Sequence, residues 1–198
     1  MSRISKIDHT DWDPELRAIT HADEASVLER GTLRIMAHKP ETAKGFVRFF
    51  AALKAERSLP ERLLELVRLR IAYHNQCRSC MAIRYAGPAA AGVDEALVCT
   101  LERPMEADDL TPAEKLAIDY GERLATNHLS LDDAFHDRLR AHFTEAQIVE
   151  LGMFCAVCVG FGRLGASWDM VEELPQAFRQ RDGGPIAPWQ QAEVIPVR

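Results

Sequence analysis

A chain of 198 residues, 47% of them hydrophobic, suits one domain, or two fused small ones, with a real core. Its net charge of -6, with 24 basic residues scattered among 30 acidic ones, excludes a basic stripe for nucleic acid. No apolar run reaches the ~18 residues of a membrane span and residues 1–20 hold no signal-peptide core, so a cytoplasmic protein with no membrane partner is expected.

Helix signals recur along the chain, and no segment alternates apolar and polar residues as a half-buried strand would. The pattern predicts an all-α bundle with helices over 22–38, 41–57, 60–75, 78–91, 94–101, 112–127, 131–141 and 145–172. Pro60 opens the third of these, and Gly87-Pro88 bends or shortens the fourth. Asp94 and Ser130 are candidate N-caps, while Thr111-Pro-Ala-Glu114 and Thr144-Glu-Ala-Gln147 are capping boxes. The helical domain runs over 1–174, and 175–198, rich in Gly and Pro, reads as an extended arm. Trp189 and Val194-Ile-Pro-Val197 give that arm apolar side chains to bury on a neighbouring subunit, or else it frays. A weak internal repeat, at a shift of 85 residues, lays Leu64-Glu65-Leu66 on Val149-Glu150-Leu151, and Cys77 and Cys80 on Gly162 and Gly165.

Cys77 and Cys80 fall where one predicted helix ends and the next begins. A helix N-terminus favours thiolate, and the two-residue spacing lets the sulfurs meet within a turn, which points to redox chemistry. Half a zinc site, or two incidental thiols, are the alternatives. Five cysteines, an odd number, do not form a structural disulfide framework in a reducing compartment. Cys155 and Cys158 lie in an apolar helical run and read as core, and Cys99 is expected to share their protection by burial. Gly160, Gly162 and Gly165 form no phosphate loop and instead allow close helix packing. Phe46, Phe49 and Phe50, with Leu53, make an aromatic stripe for core, subunit interface or substrate cavity. His21, His38, His128, His136 and His142 share no metal-ligand spacing, so no metal site is expected.

If 60–75 and 78–91 form a hairpin turning at Gln76, Glu65 faces the stretch Arg84 to Gly87, and Arg84 sits one turn from Cys80. That predicts a chain Glu65 to Arg84 to Cys80, or a plain interhelical ion pair between Glu65 and Arg84. His74, at the end of its helix, either shuttles protons or complements the dipole.

Glu65 twelve residues before Cys77, followed by Cys77-Arg-Ser-Cys80, resembles the core of the carboxymuconolactone decarboxylase family, and in particular its alkylhydroperoxidase D-like branch. The likeness is strongest over residues 60–100 and extends as pattern to about 172. The resemblance implies an all-helical, cofactor-free homo-oligomer, a trimer or hexamer, with thiol peroxidase or disulfide reductase activity. It implies Cys80 as the peroxide-attacking thiol, Cys77 as its resolving partner and Glu65 as part of a proton relay, and a lipoyl-type or other dithiol as the reductant. The family pattern expects His where this chain has Arg84, and arginine cannot pass a proton near neutral pH, although it can hold Cys80 as thiolate. Three functions follow: reduction of a hydroperoxide or disulfide substrate, cofactor-free decarboxylation or isomerisation of a lactone, and a non-enzymatic redox-sensing oligomer.

Overall fold

The computed structural model describes residues 2–179, 184–189 and 193–197. Three short helices lead in: α1 (Pro14–Ile19), α2 (Val27–Arg30) and α3 (Leu33–Met36). Asp13 caps α1 by accepting from Leu16 N–H at 3.0 Å, a start that the sequence reading passed over. The predicted helix 22–38 is two helices, because Gly31 takes a φ of 41° that a continuous helix cannot hold. There follow α4 (Pro40–Ala55), α5 (Glu61–Asn75), α6 (Arg78–Ala82), β1 (Ile83–Tyr85), α7 (Ala86–Ala90) and α8 (Glu95–Cys99). The chain continues as α9 (Pro112–Thr126), α10 (Asp133–Arg140), α11 (Glu145–Trp168), α12 (Gln176–Arg179) and β2 (Ile195–Val197).

The fold is all-α apart from one small sheet. Both capping boxes form, Thr111 with Glu114 and Thr144 with Gln147, and Asp94 caps α8. Ser130 does not cap α10; Asp132 does, accepting from Phe135 N–H at 2.9 Å. α11 stops at Trp168 rather than 172 because Asp169 turns left-handed, with φ 56°.

α5 is the centre of the molecule. It lies between α9 and α11, burying Leu66, Val67, Leu69 and Ile71 against Ala117 and Ile118 of α9 and Leu151 and Cys155 of α11. Enclosed on so many sides, it needs apolar residues beyond a single stripe. By length and composition α11 is apolar enough to cross a membrane, contrary to the expectation of no such run. One of its faces is buried in the domain through Leu151, Cys155, Gly162 and Gly165, while Val149, Met153, Phe161 and Leu164 are exposed.

The predicted helix 78–91 breaks after Ala82. Ile83 is extended, with ψ 139°, and Ile83, Arg84 and Tyr85 pair in parallel with Ile195, Pro196 and Val197. Trp189 and Val197 of the arm are therefore buried on its own chain. Phe178 packs with Ala72 and Met81, and the Trp189 ring, 5% exposed, lies 4.7 Å from Tyr73. Residues 180–183, 190–192 and 198 of the arm, and Met1 of the helical domain, lie outside the described residues.

Candidate functional site

The turn between α5 and α6 sets the cysteines. Gln76 is left-handed, φ 49°, and its side-chain amide donates to Tyr73 C=O at 2.7 Å and to Ile186 C=O at 3.1 Å. Cys77 then caps α6: its N–H bonds Ala72 C=O and its own carbonyl accepts from Met81 N–H. Three residues on, Cys80 is bonded to it through a disulfide, with the Cα atoms 5.2 Å apart. Cys77 is 1% exposed, and a Cβ on Gly165 of α11 would lie 3.9 Å from its sulfur; Cys80 is partly open. At five residues α6 is far shorter than predicted, so less of the thiolate preference comes from a helix dipole.

Glu65, 3% exposed, is held by a residue that the sequence reading missed. Arg68 donates from Nε to Glu65 Oε2 at 2.7 Å and from Nη2 to Oε1 at 2.6 Å. The same guanidinium donates to Cys80 C=O at 2.5 Å and Ile83 C=O at 3.0 Å, two carbonyls that the end of α6 leaves without helical partners. The Tyr85 ring lies 5.1 Å from it. Burial alone would lower the Arg68 pKa, but the charge and hydrogen bonds of Glu65 outweigh this and raise it, so the guanidinium stays charged. The spacing of Glu65 and Arg68 at i, i+3 on one predicted helix was the available signal.

Arg84 and His74 face elsewhere. Because β1 is extended, Arg84 is not one helical turn above Cys80; it donates to Glu95 of α8 at 2.7 and 3.1 Å, to Met81 C=O at 2.7 Å and to Pro188 C=O at 2.8 Å. The predicted Glu65–Arg84 pair does not form, and neither does the chain from Glu65 through Arg84 to Cys80. His74 Nε2 lies 3.4 Å from Glu122 Oε1 of α9 but without the alignment of a hydrogen bond. His74 and then Arg70, at 2.8 Å, hold the Glu122 carboxyl down at about 2; the aligned Arg70 contact is the firmer of the two. Of the five predicted site residues, Cys77, Cys80 and Glu65 come together, with Arg68 as the link.

Glu65 and Arg68 also line a cavity of about 230 Å³ between the end of α4, α5 and α11, together with Phe50, Leu64, Phe154 and Cys158. Glu150, the repeat counterpart of Glu65, lines it as well. Burial pushes the Cys158 thiol up to about 12, with Arg68 opposing, and Cys155 rises for the same reason. Both are free thiols, and so is Cys99, which is exposed rather than buried as expected. Among the described residues no group of three His, Cys, Asp or Glu is placed to hold a metal. Gly162 has a structural use: a Cβ there would stand 2.5 Å from Asn75 Nδ2, which donates to Cys158 C=O at 2.9 Å. Gly160 faces open space and has no such use. The Phe46 and Phe161 ring centroids lie 4.0 Å apart with the rings tilted, while Phe49 and Phe50 are exposed.

Residues 40–123 match the carboxymuconolactone decarboxylase family. Among solved structures, the chain is similar to the crystal structure of an alkylhydroperoxidase AhpD core, an uncharacterized peroxidase-related protein from Ralstonia eutropha JMP134. The two share 17% identity at a TM-score of 0.70, over 90% of this chain and 94% of that one, a likeness of fold. Among curated proteins none matches.

Proposed function

We propose, from a chain whose residues 40–123 belong to the carboxymuconolactone decarboxylase family, a thiol-dependent redox enzyme that reduces hydroperoxides through Cys77 and Cys80. The observation that carries this is the asymmetry of the disulfide: Cys77 is sealed against Gly165 while Cys80 is partly open. Cys80 is thus the attacking thiol and Cys77 the resolving one.

The Cys80 thiolate attacks the terminal oxygen of ROOH, and the O–O bond breaks. The alkoxide leaves, takes a proton and becomes the alcohol, while Cys80 becomes a sulfenic acid. The Cys77 thiol displaces the sulfenic oxygen as water and closes the disulfide. A dithiol of lipoyl or similar type reduces it by exchange, returning two electrons and two protons. Arg68 engages both oxygens of Glu65, so the proton for the alkoxide comes from solvent in this reading. The same engagement weighs against a decarboxylase in which Glu65 donates protons. The exposed apolar residues of α11 supply a surface for the trimer or hexamer, and the site of action is the cytoplasm.

The test gives reduced protein one equivalent of cumene hydroperoxide, then adds dihydrolipoamide. The expected result is loss of two thiols, a Cys77–Cys80 disulfide by mass spectrometry, and repeated turnover on adding the dithiol. A disulfide between Cys155 and Cys158 instead would overturn the site, and a single turnover without regeneration would make the pair a sensor.

A further inference from the structure

An attacking thiol has to reach its thiolate form, and the helix that carries Cys80 does not supply the means. Cys77 stands at the N-terminal end of α6, whereas Cys80 lies in its last turn, where carbonyl groups carry partial negative charge and favour the neutral thiol. Arg84 offers little, since its guanidinium lies on Glu95 at 2.7 and 3.1 Å. Arg78, two residues before Cys80 and so on another side of α6, is turned to the carbonyls of Phe178 and Arg179. The apolar cluster at Cys80 draws Leu28 from α2, Phe178 from α12 and Ile195 from β2, none of them charged, and Tyr73 of α5 is its other titratable member. Arg68 is the cation that touches Cys80. Its Nη1 donates to Cys80 C=O at 2.5 Å, and a cysteine sulfur lies within about 5 Å of its own carbonyl oxygen, so the guanidinium charge stands within roughly 8 Å of Sγ. Glu65 takes the Nε–Nη2 edge of the guanidinium, while the Nη1–Nη2 edge faces the Cys80 and Ile83 carbonyls. The pair therefore turns its positive end to Cys80, and the carboxylate on the adjoining edge weakens it. Burial raises the pKa values of Tyr85 and Cys158, the titratable groups beside Arg68, so both stay neutral.

We propose that Arg68 is a positioning residue for the thiol reaction: it holds the Cys80 backbone with a charged donor and so keeps the reduced sulfur as thiolate, while Glu65 attenuates that charge. The inference rests on the thiol reading for its purpose. It gives Glu65 a task that needs no proton transfer, because a carboxylate fixed on both oxygens by Arg68 tunes the thiol through its charge alone.

The test follows alkylation of Cys80 by iodoacetamide against pH in the reduced protein, read at its peptide by mass spectrometry with no peroxide present. Glu65→Gln removes the opposing charge and keeps an acceptor for Arg68, so the midpoint should fall by about one pH unit, roughly a tenfold gain in rate at pH values below it. Glu65→Gln combined with Arg68→Met removes both charges and strands neither, and its midpoint should rise above that of wild type. Displacements of opposite sign are what a purely structural role cannot give, since loss of packing moves both variants the same way or neither. Thermal melts accompany each profile, and if the double variant does not fold, Glu65→Gln alone decides. A midpoint unchanged or raised in Glu65→Gln, or a double variant that matches Glu65→Gln, overturns the proposal. Midpoints displaced as stated in a protein that peroxide does not carry to the Cys77–Cys80 disulfide would sustain the role of Arg68 and overturn the thiol reading instead.

Discussion

Arg68 does three jobs with one guanidinium: it neutralises Glu65, closes the end of α6 at Cys80 and Ile83, and lies against Tyr85. Arg68→Met strands a buried carboxylate, so we expect a loss of about 3–5 kcal/mol in urea unfolding. The double variant Glu65→Gln with Arg68→Met should recover part of that loss. Arg84 invites a different experiment, because the family resemblance expects His there. Arg84→His cannot span from β1 to Glu95 and Pro188 as arginine does, and it leaves the Met81 and Pro188 carbonyls short of a donor. About 1–3 kcal/mol of stability should go with each stranded carbonyl, and peroxide turnover should not rise. A faster enzyme would mean that the ring reaches Cys80 after all. Residue chemistry was only partly legible in advance. The cysteine spacing is written in four consecutive residues, whereas the partner of Glu65 depends on which of two nearby arginines the backbone turns toward it.

Between elements, α5 and α11 meet where Asn75 lies over Gly162 and bonds the carbonyls of Cys158 and Val159. Gly162→Ala puts a methyl group 2.5 Å from Asn75 Nδ2, which must then retreat and leave those carbonyls. We expect a cost on the order of 1–3 kcal/mol by thermal or chemical melt. A melt unchanged from wild type would mean that α11 shifts without loss. The helix starts at Thr111, Thr144 and Asp94 were legible because a cap is a bond between near neighbours in sequence. β1 was not legible. Ile83 and Tyr85 carry strand preference, but the strand exists only because β2, far along the chain, lies beside it. With β1 hidden, the hairpin argument for Arg84 had to miss.

Across the whole molecule, the described part of 175–198 fastens the CxxC turn at several points: Gln76 to Ile186, Arg78 to the carbonyls of Phe178 and Arg179, Arg84 to Pro188, and β1 to β2. Truncation after Leu174 should therefore lower the melting temperature and speed alkylation of Cys77 in the reduced protein, with Trp189 no longer covering Tyr73. The homo-oligomer we propose should survive this truncation in light scattering, because the exposed apolar residues of α11 remain. An assembly that falls apart on truncation would place the arm between subunits.

Those fastenings also order events during synthesis. Gln76 leaves the ribosome 110 residues before Ile186, an interval of roughly 5 to 20 seconds at ordinary elongation rates. Throughout it the nascent thiols have no strap over them and are open to any oxidant, metal ion or stray disulfide in the cell. Whatever protects them in that interval belongs to the cell rather than to this fold.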